Sequence, residues 1–128
     1  MQEGLLTMPE LRIKRIYEEA TAEDGCRILV DRLWPRGISK EKAHIALWVR
    51  EIAPSTDLRK WFHHEPEKFP EFQSRYIDEL TNNIEAAAFR KTVYEKLQQD
   101  NVTLLFSAKD ETMNNAAVLK DWLDEEKK

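Results

Sequence analysis

Three short stretches of the chain hold most of the side chains able to do chemistry. The first is Asp31, Arg32, Trp34 and Arg36; the second is Lys60 with His64 close behind; the third is Ser107, Lys109 and Asp110. Arginine presents a planar fork of donors that grips phosphate or carboxylate through two parallel hydrogen bonds, so Arg32 and Arg36 point to an anion. Lys60 and Lys109 add positive charge. Trp34 offers a flat surface on which a base or a cation can stack. His64 and Asp110 are the residue types that move protons if a reaction occurs, and Ser107 is a nucleophile type. A purely structural reading stands beside this one. In it Asp110 caps the last helix, Asp31 and Arg32 form ion pairs that order a loop, and Trp34 fills core.

Other constellations carry less. His63 and His64 are adjacent rather than four apart, and no second cysteine exists, so no metal site is expected. Cys26 follows Gly25 and precedes Arg27. A neighbouring guanidinium can lower a thiol pKa, although a lone cysteine entering a buried strand is more often packing. Ser107 and His64 make a nucleophile and a base in type, with nothing in the spacing to bring them together. No glycine-rich phosphate loop, dinucleotide fingerprint or paired-carboxylate spacing is present, so no cofactor is expected.

The elements that must position these residues follow from periodicity. Residues 11–17 alternate apolar and basic side chains, the period of a half-buried strand. Residues 27–31 follow an Asp-Gly turn with a continuous apolar centre, a buried strand. Trp34-Pro35-Arg36-Gly37 is a loop, and Ser39 caps a short helical turn ending at His44. Residues 46–52 alternate and stop at Pro54, and are read as a strand. Ser55 or Thr56 caps a helix ending at Phe62, and Pro66 and Pro70 suit first helical turns. Phe72, Tyr76 and Leu80 share one helix face, and Phe89, Val93 and Leu97 share another after a break at residues 81–83. Val102, Thr103, Leu104, Leu105 and Phe106 form a buried strand. A last helix begins near Glu111, with Asn115, Val118, Leu119, Trp122 and Leu123 on one side and a charged end, residues 124–128, expected to fray.

Strands, helices, a strand and a helix in that order imply a long helical crossover, which suits parallel pairing. The fold class expected is α/β: a small layered domain with a three- or four-stranded, largely parallel sheet covered by helices. Residues 1–10 read as a loose leader, with Met8 an alternative start, and residues 11–128 as one domain. In open α/β sheets ligands bind outside the carboxyl ends of the strands. The groups above leave those ends, and a helix N-terminus just beyond the Val102 strand adds unpaired N–H groups.

Composition narrows the field. The chain has 128 residues, 41% apolar and 34% charged, which fits a single globular core. One cysteine excludes an internal disulfide and fits a reducing, cytoplasmic setting. No apolar run reaches the roughly 20 residues of a membrane helix, and the first residues lack the pattern of a secretory signal. Net charge is −4, yet residues 27–60 hold eight basic and four acidic side chains. A basic segment in an acidic protein points mildly to an anionic ligand, or else to a basic solvated face, and the overall sign argues against a nucleic-acid coat.

At these same residues the chain resembles a known family. The run Asp31-Arg32-Leu33-Trp34-Pro35-Arg36-Gly37-Ile38-Ser39-Lys40 is similar to the bacterial YeaO-like proteins, domain of unknown function 488. So are Ala53-Pro54-Ser55 with Leu58-Arg59-Lys60-Trp61-Phe62, and Thr103-Leu104-Leu105-Phe106-Ser107-Ala108-Lys109-Asp110. The resemblance covers nearly the whole chain, from about Leu11 to Leu123. It implies a small bacterial cytosolic α/β protein and no settled activity. Members often carry histidines flanking the asparagine at the start of the last helix. Here that run is Met113-Asn114-Asn115, so only Asn114 matches, while His64 matches a histidine that follows the Trp-Phe pair.

The expected function is recognition of an anionic small molecule, phosphorylated or nucleotide-like, with catalysis open. Arg32, Arg36, Lys60 and Lys109 would bind charge and Trp34 would stack. The competing expectation is a non-catalytic protein-interaction or regulatory module. Exposed tryptophans outside any cleft would favour it, and tryptophan lining a polar cleft would favour the ligand. Single-stranded nucleic acid would require aromatic stacking along a groove in residues 27–60.

Overall fold

A computed structural model describes residues 8–127. Its four strands are β1 (Leu11–Arg15), β2 (Cys26–Leu29), β3 (Leu47–Trp48) and β4 (Val102–Phe106). They form one sheet in the order β1-β4-β2-β3, every pair parallel. The α/β architecture with a four-stranded parallel sheet is the one the order of elements implies. The register pairs Leu29 with Leu105 and Arg15 with Phe106, so three strands end at the same edge.

Five helices accompany the sheet: α1 (Lys40–Ala43), α2 (Thr56–Phe62), α3 (Phe69–Thr81), α4 (Ile84–Leu97) and α5 (Asn115–Lys127). Strand alternation divides the core. Ile28, Val30, Leu104 and Phe106 face the large cluster with α2 to α5, whereas Leu29 and Leu105 face a smaller one with Ile16, Ala43, Trp34 and Trp48. The helix faces read from the sequence are the buried ones: Phe72, Tyr76 and Leu80 on α3, and Phe89, Val93 and Leu97 on α4. Each such side chain contributes roughly 1.5–3 kcal/mol by leaving water.

The thinly covered face of the sheet also holds a buried polar cluster, and every member is partnered. Asp24 accepts from Arg27 at 2.6 Å and from Lys14 at 3.0 Å. Arg27 completes its fork by donating Nε and Nη2 to the Ala43 carbonyl, and Thr103 donates to the Asp24 carbonyl. Buried charge is tolerated only when satisfied in this way. Gly25 closes the turn before β2 at φ +64°; a Cβ there would lie 2.1 Å from the Asn101 carbonyl oxygen.

Several boundaries differ from expectation. The strand expected over residues 46–52 is only Leu47–Trp48. After Val49 donates to Leu29, the chain turns through a 3-10 turn, Arg50–Ile52, that buries Ile52. β1 stops at Arg15 and β2 at Leu29, so Tyr17 and Asp31 belong to the loops at the carboxyl edge. The last helix starts at Asn115, not Glu111, because Asp110 draws residues 111–113 into a tight turn. Of the charged end expected to fray, residues 124–127 are helical, and Lys128 lies outside the described residues. The leader expected over residues 1–10 lies mostly outside the described residues, and within it Glu10 hydrogen-bonds to Asn101 and Val102.

Candidate functional site at the carboxyl edge of the sheet

A cleft of about 360 Å³ opens at the carboxyl edge, between the loop after β2, the segment of Ala53 and Pro54 with Arg59 and Phe62 of α2, and the loop after β4. Asp31 is its floor. One carboxylate oxygen accepts from the Ser107 amide at 2.9 Å and the Ser107 hydroxyl at 2.8 Å; the other accepts from Asn115 Nδ2 at 3.1 Å. Asn115 also donates to the Val30 carbonyl. A single carboxylate thus ties the ends of β2 and β4 to the first turn of α5.

Arg32 is a strut. Its Nε and Nη2 donate to the carbonyls of Pro54 and Ala53 at 3.2 and 3.1 Å, which holds that segment across the cleft. The segment is also fixed from behind. The buried Tyr76 hydroxyl donates to Ile52 at 2.6 Å, and Ser55 bonds through its amide and hydroxyl to Glu79. Burial pushes the Tyr76 phenol well above its ordinary pKa, so it remains a donor. Opposite, Tyr17 donates its hydroxyl to the Arg36 carbonyl at 2.9 Å while the Arg15 guanidinium covers its ring at 4.9 Å. Arg15 in turn holds the loop after β4 through the carbonyls of Ser107 and Ala108.

Two guanidiniums in the lining are uncommitted. Neither the Arg36 nor the Arg59 guanidinium makes a hydrogen bond, ion pair or ring contact with a described side chain or backbone group, and both residues are exposed. With Arg32 they give the lining three positive charges against the single carboxylate of Asp31. His64 also lines the cleft. It lies against Phe62 at 6.1 Å between ring centres, and Phe62 stacks on Phe72 at 4.4 Å. The chain reaches His64 through two successive left-handed residues, His63 (φ 47°) and His64 (φ 56°), the first closing the C-terminus of α2. Such backbone is sparsely populated by side-chain-bearing residues and is held by its surroundings.

Arg32, Arg36, Trp34, His64, Ser107 and Asn114 are therefore brought to one cleft. Lys60, Lys109 and Asp110 are exposed and outside its lining. Helical phase explains Lys60: Arg59 stands one turn before Phe62 and shares its face, and Lys60 is rotated away. Asp110 is neither the cap of α5 nor a group in the cleft. Its Oδ1 accepts from the amides of Met113 and Thr112, which holds its pKa below the ordinary value and leaves it a poor proton donor. Asn114 is the cap, accepting from the Ala117 amide while donating to the Asp110 carbonyl. Trp34 lines the cleft with a fixed ring, its N–H bonded to the Ile38 carbonyl at 2.7 Å and its edge against Trp48 at 5.3 Å. Cys26 sits at the far, amino end of β2, packed against the core, with its thiol pKa raised by burial rather than lowered by Arg27.

Residues 10–128 match the family described as the inactive DUF488-N3 subclade, DUF488-N3i. The chain belongs to that family. It is 44% identical to the uncharacterized protein YeaO of Escherichia coli over 113 residues, which is 88% of this chain and 96% of YeaO. It is 40% identical to the uncharacterized proteins Rv3073c of Mycobacterium tuberculosis and Mb3100c of Mycobacterium bovis over 114 residues, 89% of this chain and 93% of each relative. No solved structure matches it.

Within this DUF488-N3i domain, Met113 and Asn115 stand where the resemblance places histidines, and Asn115 is committed to Asp31 and Val30. Arg59, Tyr17, Phe62 and Phe72 complete the cleft without having been singled out as site residues in the sequence. Arg59 and Phe62 alone carried a signal, their three-residue spacing on a short capped helix.

Proposed function

We propose that this domain binds a small organic anion in the carboxyl-edge cleft and does not transform it. The observation that carries the reading is the pair of uncommitted guanidiniums, Arg36 and Arg59, beside an Asp31 carboxylate already occupied by Ser107 and Asn115. An anion entering there meets bidentate donors, and the three guanidiniums of Arg32, Arg36 and Arg59 outweigh the one negative charge of Asp31. The amino end of α5, whose Asn114 and Asn115 reach the lining, adds a favourable dipole.

The lack of turnover is supported by the way the reactive types are used. The Ser107 hydroxyl donates its hydrogen bond to Asp31 and not to His64. Asp110 and Cys26 lie outside the cleft lining. The family description, inactive, agrees. The interaction-module reading expects exposed tryptophan. Trp122 is buried, and Trp34, Trp48 and Trp61 are half-buried, with the last two covered by Arg50 and by Lys68 and Arg75.

A thermal-shift screen against phosphorylated metabolites, nucleotides and carboxylates tests the reading, with the Arg36→Ala/Arg59→Ala double variant as control. A ligand at about 100 times its Kd stabilises by about 2.7 kcal/mol, a rise of several degrees in Tm. The expected result is a rise for some anions that vanishes in the folded double variant, with each ligand recovered unchanged. No rise for any anion, or conversion of a ligand to product, would overturn the proposal.

A further inference from the structure

Resting on the binding reading above, we propose that the ligand carries its charge on a flat aromatic or heteroaromatic body, as an aryl phosphate or aryl carboxylate does. The distribution of exposed apolar surface is the first reason. Among the described residues five large hydrophobics are exposed, and two of them, Tyr17 at 43% and Leu33 at 61%, line this one cleft. Exposed apolar surface gathered at a concave polar site marks a place that a ligand covers.

The second reason is the flatness and rigidity of the walls. The Tyr17 ring cannot turn freely, since its hydroxyl is bonded to Arg36 and Arg15 lies over it. Trp34 is pinned through Ile38 and Trp48, and the exposed His64 ring lies against Phe62, which is itself stacked on Phe72. Rings with fixed orientation lose little entropy when another ring lies on them, and they discriminate against puckered or branched bodies. The third reason is the alternation of charge with ring. On α2, Arg59 stands one turn from Phe62, and in the loop after β2, Trp34 and Arg36 flank Pro35. A ligand with an anionic group attached directly to a ring satisfies both at once. At about 360 Å³ the cleft lies at the small end of ligand sites, which run from roughly 300 to 1,000 Å³. That favours one ring system with one anionic group over a dinucleotide.

The test is a set of calorimetric titrations of the full chain with phenyl phosphate, glycerol 3-phosphate and inorganic phosphate. Benzoate against acetate repeats the comparison for carboxylates. His64→Asn and Leu33→Ser serve as wall variants; both positions are exposed, and asparagine tolerates the left-handed backbone at His64. In at least one of the two series the aryl ligand should bind tenfold or more tighter than its aliphatic partner, with that advantage reduced at least threefold in the wall variants. Equal affinity of aryl and aliphatic ligands in both series, lost in Arg36→Ala/Arg59→Ala, would leave anion binding standing and defeat the aromatic class. An aryl advantage untouched by both wall variants would also defeat it, by placing the ring elsewhere. No binding of any probe at millimolar concentration would defeat both readings together.

Discussion

Replacing Asp31 by asparagine changes one atom of the joint that ties β2, β4 and α5, and the hydrogen bonds allow its cost to be worked out. One oxygen of Asp31 faces two donors on Ser107, and the other faces Asn115 Nδ2 at 3.1 Å. An asparagine amide has one oxygen to give. Turned toward Ser107, it sets its NH₂ against the NH₂ of Asn115. Turned the other way, it sets its NH₂ against the Ser107 amide. Asn115 cannot relieve the conflict by rotating, because its carbonyl would then face the Val30 carbonyl that its Nδ2 now serves. One partly buried donor is unpaired in every arrangement, and the charge assistance is lost. The expected cost is about 2 kcal/mol. For a chain of 128 residues each kcal/mol moves Tm by roughly 3–5 °C, so Tm should fall by roughly 6–10 °C. Urea unfolding should show a lower midpoint with an unchanged m-value. The double variant with Asn115→Ala removes the donor conflict and should be less damaged than the sum of the single changes. An unchanged midpoint in Asp31→Asn, or strictly additive effects in the double variant, would refute the reasoning.

Three other substitutions probe the frame of the cleft. Arg32→Lys keeps the charge but loses the fork to Ala53 and Pro54. Denaturant unfolding should show a loss of about 1–2 kcal/mol, and an unmoved midpoint would mean that the guanidinium is no strut. Gly25→Ala meets the Asn101 carbonyl at 2.1 Å as well as a left-handed φ, whereas Gly37→Ala meets only the φ. Gly37→Ala should cost about 1–2 kcal/mol and Gly25→Ala distinctly more, read as the difference between their Tm values. Asp24→Asn tests the buried polar cluster through pH. Burial pushes the Asp24 carboxyl up, but hydrogen bonds from the Thr21 amide, Lys14 and Arg27 outweigh it and hold the folded pKa below the ordinary 3.8. Its stabilisation is therefore complete above that value and disappears as pH falls through the folded one. Wild type should lose stability over that acid range more steeply than Asp24→Asn, and parallel acid limbs would count against the assignment.

The layers of the fold were legible because the core positions repeat with the periods of their elements. Phe72, Tyr76 and Leu80 could lie on one side only of a helix, and Val102 to Phe106 had no polar face to offer water. Boundaries set by single side chains were harder to read. Asp110 looked like a helix cap, yet its carboxylate takes the amides two and three residues on and delays α5 to Asn115. Residues 46–52 alternate like a strand, but tertiary burial of Ile52 turns them after two residues. At the site, the sequence located the sheet edge and six of its residues, since the run from Asp31 to Arg36 leaves one strand and Ser107 leaves its neighbour. It did not show that Arg32 spends its fork on backbone, nor that α2 turns Arg59 inward in place of Lys60. Those outcomes depend on how a helix rotates against a loop some distance away in the chain, which no local pattern records.

The central claim is that an anion binds between Arg36 and Arg59. The most direct test is a nuclear magnetic resonance titration of isotope-labelled protein with phenyl phosphate, following backbone amides and arginine Nε–H groups. The account predicts saturable shifts at the Nε–H of Arg36 and Arg59 and at the amides of His64, Ser107 and Asn115, with Lys40, Lys42 and Lys91 unmoved. Shifts spread evenly over the basic surface, or confined to residues away from the carboxyl edge of the sheet, would contradict it.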